Sequence, residues 1–245
     1  MNKQSILIIG AKSDIAKSIA EKYAQENYTI LLGCRNISEL EPFVDHLRLR
    51  YETEVSLHEH DVSQLESCET FIDELPVLPD VVVCSVGFLG DQEQAQNDVD
   101  HRLLITNVNY TFPMCFLSSM ANRFADRGNG CIIGISSVAG DRGRKSNYVY
   151  GAAKAGFSGF LSGLRNRLSS EGVHVMTVNP GFVNTQMTAG MDLPDILTAQ
   201  PEQVAKAIYD GQMKKRNVIY TLWMWRWIML IIKHIPEVIF KRLSL

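Results

Sequence analysis

Residues 131–156 read CIIGISSVAGDRGRKSNYVYGAAKAG, and the rest of the chain is arranged around how this stretch folds. Ile132, Ile133 and Ile135 form an apolar, β-branched run, the pattern of a buried strand, which ends at Ser136-Ser137. A loop punctuated by Gly140 and Gly143 follows, and Tyr150-Gly-Ala-Ala-Lys154 opens an alanine-rich helix. Helix residues four apart share a face, about 5–6 Å from one another. The spacing therefore sets a phenol beside an ammonium, with a serine hydroxyl at the neighbouring strand end.

That trio has a chemistry. A free tyrosine titrates near about 10 and is a poor proton donor at neutral pH. An adjacent cation favours the phenolate and is expected to lower that value. A phenol so tuned serves as general acid to a developing alkoxide, and a serine hydroxyl beside it hydrogen-bonds the same oxygen. Carbonyl reduction, or the reverse alcohol oxidation, is the reaction implied. No side chain donates hydride, so a nicotinamide cofactor is required, and with it a dinucleotide site elsewhere in the chain. A Tyr and a Lys four apart are common on structural helices; the serine upstream makes the pattern more specific.

The 245 residues suffice for one α/β domain with a large core. With 46% hydrophobic and 21% charged residues the chain is not disordered, and a net charge of −3 leaves no overall basic footprint for nucleic acid. Cys34, Cys68, Cys84, Cys115 and Cys131 are odd in number, scattered, and mostly in apolar runs, as reduced thiols of a cytoplasmic protein would be. The opening MNKQSILIIG lacks the apolar core and cleavage site of a signal peptide. His58 and His60 lack a third ligand and follow strand alternation, so no metal site is expected.

Outward from the central stretch, strands and helices alternate. Ser5–Gly10 is a strand, and the turn Gly10-Ala-Lys12-Ser13-Asp14-Ile15-Ala16 leads into a helix. That geometry aims backbone N–H groups and the helix dipole at a pyrophosphate. Of the usual three glycines only Gly10 remains; Ala16 stands in for the third, and Asp14, in the place of the second, is expected to share the helix cap with Ser13. The next strand, Tyr28–Leu32, ends without an acid to hold an NAD ribose. Arg35 follows it instead and, with Lys12, selects the 2′-phosphate of NADP(H). After a helix over Ser38–Arg50, a strand over Val55–His60 places Asp61 and Val62 beside an adenine. A helix over Ser63–Leu75 is expected to be capped by Ser63 with Glu66. Val81–Val86 reads as a central strand buried on both faces, with Ser85, Val86 and Gly87 at its cofactor end. Helices follow over Asp98–Leu104 and Asn107–Arg127, and Asn109, an amide inside a helix, needs a partner or a task. Val173–Val178 is a strand running into Asn179-Pro180-Gly181-Phe182-Val183-Asn184-Thr185; a helix over Pro201–Lys215 and a strand over Val218–Leu222 close the pattern. This alternation implies an α/β fold, a Rossmann-type doubly wound parallel sheet in a single domain, residues 1–222. Ligands bind such sheets beyond the carboxyl ends of the strands. Gly10, Arg35, Asp61, Ser85–Gly87, Ser137 and Pro180–Thr185 all fall there.

Over nearly its full length the sequence resembles the short-chain dehydrogenase/reductase family. Ser137, Tyr150 and Lys154 match that family's catalytic Ser and Tyr-x-x-x-Lys. Asn109 matches its helix asparagine, which supports a water-mediated proton relay, with Asn107 as the competing alignment. Pro180 and Gly181 match its Pro-Gly segment, Val183 lies in the same run, and Thr185 matches the residue that meets the nicotinamide carboxamide. The resemblance implies that Lys154 holds the nicotinamide ribose, that hydride passes from NADPH to a keto group while Tyr150 gives the proton, and that the protein is a homo-oligomer. Two motifs depart: Thr-Gly-x-x-x-Gly-x-Gly is here Ile9-Gly10-Ala-Lys-Ser-Asp14-Ile-Ala16, and Asn-Asn-Ala-Gly is Cys84-Ser85-Val86-Gly87. With Gly-x-Leu-Gly-Asp-Gln at 87–92 and Ser-Ser-Val-Ala-Gly-x-Arg-x-Arg at 136–144, they resemble the branch that includes polyprenylphosphoryl-2-ketopentose reductases, implying a lipid-linked keto sugar. The alternatives are a soluble, steroid-type or acyl ketone and, from another class, a non-catalytic nucleotide sensor or scaffold.

Residues 218–243 read VIYTLWMWRWIMLIIKHIPEVIFKRL. Arg226, Lys233 and Pro236 interrupt the run below the roughly 20 apolar residues of a membrane span. Three tryptophans and flanking cations suit a segment lying at a membrane surface, here the inner face; a lid over the substrate pocket and a subunit contact are the other readings of the extension 223–245. Arg142, Arg144 and Lys145 are placed either to meet an anionic substrate group or to stay solvated.

Overall fold

The computed structural model describes residues 3–243; Ser244 and Leu245, the end of the C-terminal extension, lie outside the described residues. Seven strands form one parallel sheet in the order β3-β2-β1-β4-β5-β6-β9. They are β1 (Ser5–Ile9), β2 (Thr29–Cys34), β3 (Val55–Glu59), β4 (Val81–Cys84), β5 (Gly130–Ile135), β6 (Val173–Asn179) and β9 (Val218–Tyr220). The order reverses between β1, which pairs Ile6 with Ile30 on one side, and β4, which pairs Val81 with Ile6 on the other. A crevice opens at such a reversal, beyond the carboxyl ends.

The central strands are apolar on both faces because both are covered. Ile6, Ile8, Ile30 and Ile133 pack on one side against Ile19 of α1 (Asp14–Gln25), Val44 of α2 (Glu41–Tyr51) and Val204 of α8 (Pro201–Met213). Leu7, Val82 and Ile132 pack on the other against Phe116 of α6 (Phe112–Arg127) and Leu161 of α7 (Tyr148–Leu168). The alternation of successive residues between these layers is the period-two geometry of a strand.

Several element ends differ from those expected: β2 runs on to Cys34, β4 stops at Cys84 and β9 at Tyr220, and the helix expected from Ser38 starts at Glu41 after a 3₁₀ turn. A short α3 (Cys68–Asp73) begins after a 3₁₀ turn, and Ser63 does not cap it; the Ser63 N–H instead donates to Asp61 Oδ1 at 2.9 Å. The polar α4 (Gln92–Asn97), too short to show a period, is capped by Asp91, which accepts from Gln94 N at 2.7 Å. No break separates α5 (Val99–Thr106) from α6: a π turn over Asn107–Thr111 joins them. A two-stranded pair, β7 (Phe182–Val183) with β8 (Thr198–Ala199), frames the loop after β6. The five cysteines are unpaired, and the described residues contain no cluster able to hold a metal ion. Last come α9 (Trp223–His234) and α10 (Glu237–Phe240). Among the described residues no helix is long and apolar enough to cross a membrane.

Candidate active site

The end of β5 and the start of α7 approach closely. At Gly140 a β-carbon would stand 2.8 Å from the Ala155 nitrogen, so the loop presses on α7 only because that residue is glycine. This contact brings Ser137, Tyr150 and Lys154 onto one cavity wall. Lys154 is 2% exposed and donates from Nζ to Ile135 O (3.0 Å) and Val86 O (3.4 Å). Its Nζ lies 5.8 Å from the centre of the Tyr150 ring. Ser137 Oγ accepts from Ala139 N at 3.1 Å, which leaves its O–H to donate on the cavity side, where the Tyr150 phenol is within its reach.

Burial decides the proton affinities. Desolvation lowers the Lys154 amine to about 8 and raises the Tyr150 phenol to about 12, with a hydrogen bond from Ser137 opposing the rise. The expected lowering of the phenol by its neighbour is therefore not found: removing a phenolate from water outweighs an ammonium held toward backbone carbonyls. At neutral pH the pair is a protonated phenol beside a protonated amine, the state from which a phenol donates.

The cavity measures about 580 Å³. Lys12, Ser13, Asp14 and Ile15 line it at the head of α1, and Ser85, Val86 and Gly87 at the end of β4. Pro180, Gly181, Val183 and Thr185 line it after β6. Gly10 lies behind this wall. Its φ of +83° and a β-carbon position 2.9 Å from Ser85 O admit only glycine, and Ser13 Oγ meets Ser85 Oγ at 3.2 Å, so the two altered motifs pack against each other. Ser13 alone caps α1, accepting from Ala16 N at 3.2 Å. Asp14 does not share the cap: its carboxylate accepts from Gln186 N at 2.8 Å and ties the first turn to the loop after β6. Lys12 pairs with exposed Glu39 at 2.8 Å.

Beyond the ends of β2 and β3 lies a second cavity of about 330 Å³, which holds Arg35 and Asp61. The Arg35 side chain is 65% exposed, 3.9 Å from Asp61. Val62 packs toward the core and lines neither cavity. Asn109 is fully buried and also lines neither. Its Nδ2 donates to Phe88 O (2.7 Å) and Ile105 O (2.8 Å), and its Oδ1 accepts from Phe88 N (3.2 Å), so the amide spans the π turn and the loop after β4 rather than facing the cavity. Asn107 is exposed. A helix N-terminus at one end of the main cavity, a buried cation at the other and a largely exposed guanidinium beyond the second strand make a donor set that fits a dinucleotide.

The model of the short chain dehydrogenase family matches residues 4–194. The chain belongs to that family. It is 32% identical over 243 residues to an uncharacterized oxidoreductase of Mycobacterium tuberculosis, covering 97% of this chain and 96% of the relative. An acetoacetyl-CoA reductase of Allochromatium vinosum is 29% identical over 219 residues, covering 82% and 88%. Among solved structures, a short-chain dehydrogenase from Sphingobium yanoikuyae in complex with NADPH superposes with a TM-score of 0.83 at 24% identity, covering 96% of this chain and 97% of that one, a likeness of fold. As a short-chain dehydrogenase this chain is an oxidoreductase acting on alcohol or ketone groups, and the reading as a non-catalytic scaffold is set aside.

Among the described residues of the C-terminal extension of this short-chain dehydrogenase, none lines the cavity. The extension braces the loop between Ser137 and Tyr150 from behind. Trp225 and Met229 pack on Val138 and Phe182, and the Trp225 indole N–H donates to Leu197 O at 3.0 Å. Arg142 is consumed here, donating to Lys233 O (3.0 Å) and Glu237 Oε2 (2.7 Å) with its guanidinium 4.1 Å from the Phe240 ring centre. Lys145 is exposed. Arg144 alone of the three lines the cavity. The motifs missed Gln92, Asn147 and Met187, which also line it. Their loops carry no periodic signal, and only the Gly-Asp-Gln punctuation at 90–92 marks one of them.

Proposed function

We propose that this short-chain dehydrogenase is an NADP(H)-dependent reductase of keto groups, with residues 1–222 as the cofactor-binding and catalytic unit. The observation that carries the reading is the convergence of Ser137, Tyr150 and Lys154 on the cavity into which the head of α1 opens. Reduced nicotinamide, when bound, supplies the hydride. The Tyr150 phenol, held protonated by burial, gives its proton to the substrate oxygen. Ser137, its lone pair engaged by Ala139 N, donates its own O–H to that oxygen. Lys154 is cationic below about pH 8 and stabilises the phenolate left behind. Asn109 acts as a positioning residue that holds the Gly87-Phe88 backbone over Lys154. Arg35, largely exposed and only loosely paired with Asp61 at 3.9 Å, meets the 2′-phosphate, and Asp61 the adenine. The similar Sphingobium enzyme, which carries NADPH, supports the cofactor, and the reductase relative supports the reaction class.

For the finer substrate we favour a bulky, hydrophobic ketone such as a lipid-linked keto sugar, on a homo-oligomeric enzyme whose extension rests on a membrane surface. Trp223, Trp227, Leu230 and Ile231 recur at helix spacing on the outward face of α9, with Trp223 73% and Trp227 56% exposed, and Arg226, Lys233, Lys241 and Arg242 flank them. Interfacial helices combine tryptophan with basic residues in this way. Fluorescence titration with NADPH and NADH, followed by NADPH oxidation over a ketone panel, tests the reaction; no binding of either cofactor overturns it. Co-sedimentation with anionic vesicles that survives Trp223→Ser with Trp227→Ser overturns the membrane contact, and conversion of an oligomer to monomers by the same pair makes that face a subunit contact.

A further inference from the structure

Two buried hydrogen-bond donors on the cavity wall have no acceptor among the described residues. Arg144 reaches the wall from the loop between Ser137 and Tyr150. Its Nε–H is buried without a partner, and the hydrogen-bond contact of its Nη2 is the thioether sulfur of Met229 at 3.2 Å, a weak acceptor. Asp141, the acid nearest along the loop, is taken by Tyr220 Oη at 2.9 Å and by Lys233 at 3.8 Å. Gln92 is the second case. Its Oε1 accepts from Val149 N at 3.1 Å, which fixes the orientation of the amide and leaves Nε2 buried and unsatisfied. Only two acids line this cavity, Asp14 and Asp91, and each is held by a backbone N–H, from Gln186 and Gln94 respectively.

Arg142 shows what a satisfied guanidinium looks like two residues away: a carboxylate, a carbonyl and an aromatic face surround it. Arg144 has none of these. A half-buried cation with no hydrogen-bonded anion is costly, and burial pulls its proton affinity down, with the nearby Asp141 carboxylate opposing the fall. Buried donors are satisfied as a rule, and exceptions require a reason. An arriving anion is one that removes both costs at once, since guanidinium and carboxylate or phosphoryl oxygens match as forks. The cavity also carries apolar side chains, Leu89, Val138, Met187 and Met191, that suit a carbon skeleton, beside polar Ser146 and Asn147, whose Oδ1 is a buried acceptor open to a substrate hydroxyl.

We propose that the substrate is an anionic ketone, a keto acid or a phosphorylated keto compound, and that Arg144 with Gln92 holds its carboxylate or phosphoryl oxygens. This rests on the reductase reading above and adds the charge of the substrate to it. The test uses the full chain saturated with NADPH, so that the cofactor's own phosphates are already placed. Calorimetric titration with malonate and with inorganic phosphate distinguishes the two sources of the anion. At least one of them is expected to bind, with affinity at least ten-fold weaker in Arg144→Met and weakened to a smaller extent in Gln92→Leu. Equal binding by wild type and Arg144→Met, or no binding of either anion, overturns the proposal. A second arm measures NADPH oxidation with matched pairs, a β-keto acid against its methyl ester and a ketose phosphate against the free ketose. One charged member is expected to have at least ten-fold higher kcat/KM, a preference that collapses toward unity in Arg144→Met. A preference that survives the substitution counts against it. Absence of NADPH oxidation across the whole panel strikes the reductase reading, while the titration still decides the anion site.

Discussion

The two ends of the ligand crevice are built on opposite plans. At the ends of β4 and β5 the polar groups are buried, with Lys154 pinned by two backbone carbonyls and Tyr150 desolvated. At the ends of β2 and β3 Arg35 stands largely in water. The difference follows from what each end is proposed to do. Proton transfer needs shifted proton affinities, and burial is the strongest means of shifting them. Discrimination of a phosphate needs a charge that is cheap to keep until the ligand arrives, and solvent keeps it so.

The contrast is broken or sharpened most severely at the buried end. Tyr150→Phe removes the proton donor without opening the cavity. Turnover should fall about 10³-fold, within the range proton transfer contributes, with NADPH affinity by fluorescence titration nearly unchanged; retained turnover assigns the proton to another group. At the exposed end, Arg35→Glu should weaken NADPH binding by about 10- to 100-fold, the worth of a charge-assisted hydrogen bond, and leave NADH binding unaltered. An equal loss for both cofactors would place Arg35 outside phosphate selection.

A smaller effect concerns pH. Lys154 sheds its proton near 8 and Tyr150 keeps its own to about 12. The kcat/KM for reduction should thus be flat below about pH 8 and fall about ten-fold by pH 9 as the ammonium is lost; a flat profile to pH 10 means the charge on Lys154 is not needed. The smallest effect is on stability. The folded-state value of Lys154 lies below its unfolded 10.5, so the unfolded chain binds more protons between about pH 8 and 10.5, and stability rises across that window. Below it the buried charge costs about 3 kcal/mol. Lys154→Met should therefore raise the melting temperature of the cofactor-free protein by a few degrees at pH 7, where Arg35→Glu should leave it unmoved. A drop on Lys154→Met would show that its bonds to Ile135 O and Val86 O outweigh the desolvation.

The parallel sheet and the places of its strands, though not their limits, are legible in the sequence because runs such as Ile6–Ile9, Val81–Cys84 and Ile132–Ile135 have one stable solution, burial on both faces. The gathering of chemistry-bearing residues at one end follows from the same pattern, since each sits just past a strand. The start of α3, the short α4 and the π turn at Asn107–Thr111 carry no periodic signature and depend on local side-chain acceptors such as Asp61 and Asp91 and on packing.

Sequence by itself thus determined the α/β architecture and the spacing that sets Tyr150 a turn before Lys154, because strand and helix periods are local properties of a chain. The packed fold settled which way the phenol's proton affinity moves, that Asp14 reaches Gln186, that Asn109 faces backbone, and that Arg142 is spent on the C-terminal extension while the Arg144 Nε–H is left without an acceptor. Each of these depends on burial and on partners distant in sequence, and desolvation is a property of the packed interior that no local pattern encodes.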